Sequence, residues 1–580
     1  MKLHLKLLSL LLCLVMIFSS LVACGDEEIQ ESESSSDSFV ESFESSEKVE
    51  NVSNPNGLIL FKNGEYTAKF VIPSKPSEAE KNVYATLRAA IKNKTKKDVP
   101  YTTDAQTANS RKPATVEILV GNTNYAQSQA VAQKATYGDY SITISGNKII
   151  LYFTEAKAGN ELVASLARVI RSNSENTFWI DSSFKTEKQS YPSLSGLPQY
   201  PAASQTIVDC DDDTAMVVAS NTSMAEYKQY CETLAKSGYK LVSSRDVNSN
   251  LFNTYTKGSV ALTTYFTSST KMARIIAGPL KDVPAAKTAT GNESVKPTLT
   301  LLSHGVNDDI GLGLIYVLPN GKLLIIDGGQ VSATYIYNTL KNVAPNPNNI
   351  VIAGWYMSHS HIDHQKTLIE FLKQKYKGIT IESILYNYPS QEQYKAITQD
   401  SDNGGGAYSF ESAIKQYASN IKIIKPHTGQ VYYYGSASVE ILYTAEDMLP
   451  KALDYINSSS LVLKVKVGNS SLLALTDTTH ASGDILRKMY GSYLKSDMVQ
   501  IAHHGMYAGY PNLYETIQAK VLIWPSNAKC LKQQRNDSTV KAALKYASDL
   551  YIVNTSQNTT LNLPHTIKNN KQSVLNSVGS

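Results

Sequence analysis

Cysteine is scarce in this 580-residue chain: there are five in all, Cys13 and Cys24 fall within the first 24 residues, and no Cys-x-x-Cys pair occurs. That excludes a disulfide-stapled scaffold and a cysteine-based zinc ribbon. Of the three left, Cys210 and Cys231 could pair, but Cys231 shares a helical face with Tyr227, Tyr230 and Leu234, so buried packing is the better reading. Charged residues make up 18%, below the roughly 25% of an average soluble chain. Beyond the N-terminus no apolar run is long enough to span a bilayer. A glycine-rich phosphate loop and a Ser-His-Asp pattern are both missing, and no histidine lies between residues 5 and 303. What is present, 42% hydrophobic and 9% aromatic residues, excludes a wholly disordered or collagen-like chain. At about 150 residues per domain the length has room for about four domains.

The net charge of +4 averages unlike parts. Lys2 and Lys6 precede an apolar run from Leu7 to Phe18, the pattern of an export signal. It ends Leu21-Val22-Ala23-Cys24, which resembles the lipobox of bacterial lipoproteins, in which the cysteine is acylated and becomes the first residue. The resemblance implies a lipid anchor on Cys24 and an extracytoplasmic location at the cell membrane. Residues 25–50 hold ten acids and one lysine, and the Ser/Glu-rich stretch 25–56 has too little apolar surface to offset its ordering entropy, so it reads as a tether. With the leader's two lysines and this −9 removed, residues 51–580 carry +11. That is compatible with an anionic partner, but it is not the signature of a dedicated nucleic-acid binder.

Three folded parts follow. In 57–191, Val83, Leu87, Ala90 and Ile91 share a helical face, Val116 to Val120 reads as a buried strand, and Ser141–Ser145 and Lys148–Phe153 flank a Gly146-Asn147 turn. Leu162, Leu166, Val169 and Ile170 mark a second helix; the order resembles the small α/β domain preceding the catalytic barrel of many glycoside hydrolases. After a proline-rich linker, 203–282 is expected to be a small α+β domain, with a Ser223-x-x-Glu226 capping box opening a helix. Neither region clusters histidines, cysteines or paired acids, so substrate or wall binding and simple spacing remain open for both.

Nine of the ten histidines lie in 297–580, five of them in two tight groups. The string Ser358-His359-Ser360-His361-Ile362-Asp363-His364 follows an apolar, strand-like run (Ile350 to Met357) and precedes a helix with Leu368, Phe371 and Leu372 on one face. Alternation aims His359 and His361 the same way, while Asp363 and His364 turn to a neighbouring point. Four such groups suit two adjacent divalent ions better than one closed structural site.

His359-x-His361-x-Asp363-His364 resembles the signature of the metallo-β-lactamase fold superfamily. Leu323 to Asp327-Gly328-Gly329 is similar to its early strand ending in Asp-Gly, Ser471 to Thr476-Asp477 to the strand delivering a bridging aspartate, and Ser496 to His503-His504-Gly505 to its later strand and turn. That last turn is closest to the phosphorylcholine esterase and competence-protein branch. The resemblance implies an α/β protein whose C-terminal domain is an αββα sandwich, preceded by two small α+β domains. It implies His359 and His361 on one metal, Asp363, His364 and His503 on the other, and Asp477 between them. Which of His503 and His504 ligates is open; His503 is favoured, leaving His504 a supporting or substrate-contacting role. Asp327 is expected to orient a ligand. Two departures stand out. Thr476 replaces the usual glycine before the bridging aspartate, and the only histidine between the motif and Asp477 is His427, expected on an exposed loop. His304, His480 and His565 are expected to be bystanders, His480 the best placed of them for substrate contact.

The implied cofactors are two divalent ions, Zn2+ before Mn2+ or Fe, which lower the pKa of bridging water, with Asp363 handling a proton. The implied activity is hydrolysis of a phosphodiester or phosphoester, in a small molecule or an envelope polymer. A nuclease-like relative of the competence domains and a non-catalytic binding lipoprotein are the alternatives. The first predicts salt-sensitive DNA binding; the complete ligand set argues against the second.

Overall fold

The computed structural model describes residues 57–579 except 106–115, 203, 288–290, 292, 304–309, 398, 401, 403, 508 and 554–556. The leader with Cys24, the acidic stretch 25–56 and His304 lie outside the described residues. The chain forms two compact units, one ending at Ser190 and one beginning at Tyr191. Among the described residues no helix is long and apolar enough to cross a membrane.

The first unit is built on a six-stranded mixed sheet in the order Thr186–Gln189, Asp139–Ser145, Lys148–Phe153, Val116–Val120, Ala68–Ile72, Tyr101–Thr103. Ser77 starts the helix Glu78–Thr95 with a reciprocal capping box to Glu80, and its Val83, Leu87 and Ala90 are buried. That helix and Ala156–Val169 cover one face of the sheet with a common apolar core.

The second unit holds a four-layer αββα sandwich. Its first sheet runs Lys422–Ile424, Ser383–Leu385, Ile350–Tyr356, Leu323–Asp327, Gly313–Val317, Thr298–Leu301, Thr559–Asn562, with Ile379–Ile381 beside Ile350–Tyr356. The other runs Val431–Tyr434, Ala437–Tyr443, Val462–Val467, Ser470–Ala474, Met498–Gln500, Val521–Trp524, Asp549–Ile552. Period-2 alternation assigns side chains to layers. Leu324, Ile326, Leu472 and Ala474 fill the space between the sheets. Leu323, Ile325 and Trp355 meet the helices Ala333–Val343 and Ile362–Gln374 on one outside, and Leu473, Leu475 and Trp524 meet His480–Tyr490 and Pro511–Ile517 on the other. Strands buried on both faces explain why Leu323–Ile326 is an unbroken apolar run, and each such Leu or Ile contributes roughly 1.5–3 kcal/mol.

Each sheet is parallel over the strands that matter. Leu323–Asp327 pairs parallel with Ile350–Tyr356, and Ser470–Ala474 with Met498–Gln500. Parallel neighbours end on the same edge, where open α/β sheets place their ligands. The loops carrying Asp327, 358–364, Asp477 and 503–504 all leave those ends.

The stretch Ser204–Pro279 forms a six-stranded antiparallel sheet whose helix, Met224–Lys236, starts at the Ser223 capping box. The sequence treats this stretch as a domain apart from 297–580; in the structure both belong to one unit and share a core. Met216, Val218, Phe252 and Tyr265 pack in the same cluster as Tyr443, Leu449 and Tyr490. The buried Arg274 donates to the carbonyls of Glu446, Asp447 and Leu449 at 2.9, 2.6 and 3.2 Å. Tertiary packing of this kind leaves no local mark in a sequence.

Candidate metal centre

The first arm grows from two adjacent parallel strands. Asp327 ends one of them in the left-handed region (φ 54°), and its carbonyl accepts from the Trp355 indole at 2.8 Å. Its carboxylate takes the Ser358 amide and hydroxyl, both at 2.7 Å, and His364 Nδ1 at 2.8 Å. His361 is the residue before the helix Ile362–Gln374, and its carbonyl accepts from the His364 amide at 3.1 Å. The helix start therefore fixes Asp363 and His364, with Asp363 in the first turn, where a helix favours negative charge.

The second arm comes from the other sheet. Thr476, standing where the resembled family has glycine, takes up the left-handed conformation (φ 48°) that glycine would supply. A β-branched residue there is strained. It is held by its amide on Gln500 Oε1 at 2.6 Å and its hydroxyl on the Leu461 carbonyl at 2.8 Å. Asp477, which follows, is buried; among the described residues its Oδ1 makes no hydrogen bond, and His364 Nε2 lies 3.3 Å from it.

Two groups of donors converge: His359, His361 and Asp477, and Asp363, His364 and His504, each with its atoms within 4.8 Å of one another. Asp477 reaches toward both. Its Oδ2 is 3.7 Å from His359 Nε2 and 3.5 Å from His504 Nε2, and its Oδ1 is 3.3 Å from His364 Nε2.

His504, not the favoured His503, belongs to the candidate donor group. Its Nε2 lies 3.0 Å from Asp363 Oδ2 and its Nδ1 donates to the Pro525 carbonyl at 2.9 Å. His503 turns aside, a quarter exposed, with Nε2 accepting from Asn457 Nδ2 at 3.1 Å and 3.9 Å from Asp477. The reason is backbone shape: His503, His504 and Gly505 have φ of 46°, 54° and 84°, so the chain coils left-handed and turns the second imidazole inward. Glycine is required at 505, because a Cβ there would sit 2.1 Å from the Trp524 ring.

The hydrogen bonds define the ring nitrogens. Asp327 and the Pro525 carbonyl only accept, so His364 and His504 donate through Nδ1 and turn their Nε2 atoms toward each other across 3.2 Å. Ser358 donates to Asp327 and accepts from His359 Nδ1 at 3.0 Å, leaving His359 Nε2 bare against His361 Nδ1 at 3.1 Å. Imidazole nitrogens facing each other at such distances, beside two carboxylates, could hold a cation.

The carboxylates favour positive charge in this cluster, whether a proton or a metal ion. Burial opposes charge on His364, but Asp477, Asp363 and Asp327 hold its pKa well above the usual range. Burial likewise opposes protonation of His504, yet Asp477 and Asp363 push it up to about 10. His359 goes the other way: burial, and then His364, keep it neutral. Against the cost of burial, His364 and His504 hold Asp363 and Asp477 well below the usual carboxylate range. The residues therefore fit a bound cation: buried anionic carboxylates beside imidazoles whose inward nitrogens can carry either a proton or a metal ion.

The other histidines lie elsewhere. His427 is buried rather than on an exposed loop; its Nδ1 is 2.9 Å from Glu446 Oε1, and it belongs to neither donor group. His480 packs against the Tyr510 ring at 4.7 Å, and His565 pairs with Asp549 at 2.7 Å. Cys210, Cys231 and Cys530 are free thiols. Two participants have no sequence signal: Asn457, on His503, and Asp400, whose Oδ2 is 3.2 Å from His361 Nε2. Asp400 sits in a loop and Asn457 in the short 3-10 helix Ile456–Ser459, both outside the motifs.

No protein-family model and no curated protein matches the chain. Solved structures similar to it include Zn2+-bound PqqB from Methylobacterium extorquens (9% identity, TM-score 0.30, 46% of this chain and 100% of that one). Another is CmlA, a diiron β-hydroxylase from Streptomyces venezuelae (13% identity, TM-score 0.28, 46% of this chain and 54% of that one). A third is MEM-A1, a subclass B3 metallo-β-lactamase from a soil metagenome library (14% identity, TM-score 0.23, 45% and 89%). The chain thus spans about half the length of CmlA. The αββα fold stands on the layers and strand order described above.

Proposed function

We propose that the chain is an exported, lipid-anchored hydrolase with a binuclear metal centre that cleaves phosphodiester or phosphoester bonds in a small molecule or an envelope polymer. The observation carrying the metal reading is the buried position of Asp477 between two donor groups, its two oxygens facing His364 on one side and His359 and His504 on the other. His359 and His361 would hold one ion, Asp363, His364 and His504 the other, and Asp477 both. Nitrogen and carboxylate donors suit Zn2+, with Mn2+ or Fe as alternatives. Two ions bound there would supply an activated water and polarise the oxygen of the bond to be cleaved.

The chain's own residues supply the rest. The Asp327–Ser358 pair fixes which nitrogens of His359 and His364 face inward, and burial of both rings keeps bulk water from competing. Asp363, less buried than Asp477, is the carboxylate on the open side able to pass a proton. His503, with Asn457 behind it, takes the substrate-contacting role first given to its neighbour. The phosphoester substrate is supported by the His503-His504-Gly505 turn and the resemblance it carries. The membrane location is supported by the leader ending in Cys24 and the tether after it.

The test is hydrolysis of bis-p-nitrophenyl phosphate by wild type, His361→Ala and Asp477→Ala. Turnover in wild type that both substitutions abolish is expected; no ester hydrolysis of any kind in the metal-loaded wild type contradicts the proposal. For the anchor, Cys24→Ser is expected to move the protein from the membrane fraction to the medium.

A further inference from the structure

A ligand histidine is aimed by whatever holds its second nitrogen. Three of the four inward-facing imidazoles are held by groups inside the fold: His364 by Asp327, His359 by Ser358, and His504 by the Pro525 carbonyl. The fourth is held differently. His361 Nε2 donates to Asp400 Oδ2 at 3.2 Å, and that side chain belongs to a loop, not to either sheet.

Asp400 is no member of the donor cluster. The atoms of His359, His361 and Asp477 lie within 4.8 Å of one another without it, and it contacts the ring nitrogen of His361 that faces away from His359. Its placement is built. Asp400 Oδ1 accepts from the Asp402 amide at 3.2 Å, and the Asp402 carboxylate accepts from the Gly406 amide at 2.9 Å, at the start of the helix Gly405–Tyr417. That helix start is fastened to the histidine loop: Gln365 Nε2 donates to the carbonyls of Ser360 and Gly406 at 2.8 and 2.9 Å. A Cβ on Gly406 would lie 2.3 Å from the Ser360 carbonyl. The contact is also the accessible one. The His361 and Asp400 side chains are 27% and 19% exposed, against 0% for His359 and His364 and 1% for His504.

We propose that Asp400 is the positioning residue of His361 and sets the affinity of the His359–His361–Asp477 site independently of the Asp363–His364–His504 site. The first site is then the weaker of the two and the first to lose its ion. This rests on the metal-centre reading above.

The test is a titration of the metal-free full chain with Zn2+ in competition with a chromophoric chelator, with urea unfolding of the same samples as a second readout. Wild type is expected to show two sites of unequal affinity. Asp400→Ala is expected to weaken one of them about 10–100-fold, the same one that His361→Ala removes, and to leave the other and the urea midpoint of the metal-free protein unchanged. Asp400→Asn, which keeps an acceptor without its charge, falls between. Asp402→Ala, which loosens the loop that places Asp400, is expected to lower the urea midpoint and to weaken the same site less than Asp400→Ala does. Equal weakening of both sites by Asp400→Ala, or no change at either, overturns the proposal. A wild type that binds no metal refutes the metal centre itself, a separate and distinguishable result.

Discussion

His504 Nε2 lies 3.0 Å from Asp363 Oδ2, and the two close one of the donor groups together with His364. The neighbouring imidazole, His503, bonds Asn457 instead. His504→Ala is therefore expected to lose one metal equivalent. His503→Ala is expected to keep both and to lower turnover or raise KM. Metal content by elemental analysis, set beside steady-state kinetics, checks both. Loss of metal from His503→Ala with retention in His504→Ala reverses the assignment.

Gly505 carries the turn that aims His504. An added methyl meets both the positive φ of 84° and the Trp524 ring at 2.1 Å. Left-handed strain and overpacking together put the cost of Gly505→Ala at about 2–4 kcal/mol. Urea unfolding of the metal-free protein reads that loss, and a metal titration is expected to show the His504 site weakened as well.

Much of this centre was legible because it is local. A strand, a loop of alternating ligands and a helix lie within residues 350–374, and the pattern of residue types over that window dictates which side chains point together. The choice between His503 and His504 was not legible, because two consecutive left-handed residues decide it and His-His-Gly does not announce them. Asp400 and Asn457 were hidden for another reason. A loop brings Asp400 to the centre and a single 3-10 turn brings Asn457, and single polar residues in such short connections carry no period or motif. Of the six strands in 204–279 only two show as strand-like runs in the sequence, Lys240–Ser244 and Ser259–Phe266, and the sheet's seat on the sandwich depends on Arg274 finding backbone carbonyls more than 170 residues away.

His427 and Glu446 form a buried pair at 2.9 Å, away from both donor groups. Against the cost of burial, His427 and the Asn387 amide hold the Glu446 carboxyl below its ordinary value. A depressed acid lends stability above its unfolded pKa, near 4.5, and that stability is lost as pH falls through the lower folded value. His427→Ala leaves a buried carboxylate without its partner and is expected to cost about 3 kcal/mol, with both metals retained. Loss of a metal equivalent would mean that His427 ligates after all.

Glu411, on the helix Gly405–Tyr417, shows the opposite sign. Burial and then the carboxylates of Asp212 and Asp211 push it up to about 7. A raised acid holds its proton longer folded than unfolded. Its contribution is therefore greatest below its ordinary 4.5 and declines as pH rises toward about 7. Glu411→Gln is expected to stabilise the protein above neutrality and to change little in mild acid. Urea midpoints across that window check this, and equal effects at both ends contradict it.

The central claim is that Asp477 joins two metal ions. Counting metals per chain by elemental analysis in wild type and Asp477→Ala tests it most directly. The account predicts two equivalents in wild type and a loss of affinity at both sites in the variant. A wild type that binds one ion or none, or a variant that keeps two at undiminished affinity, would contradict it.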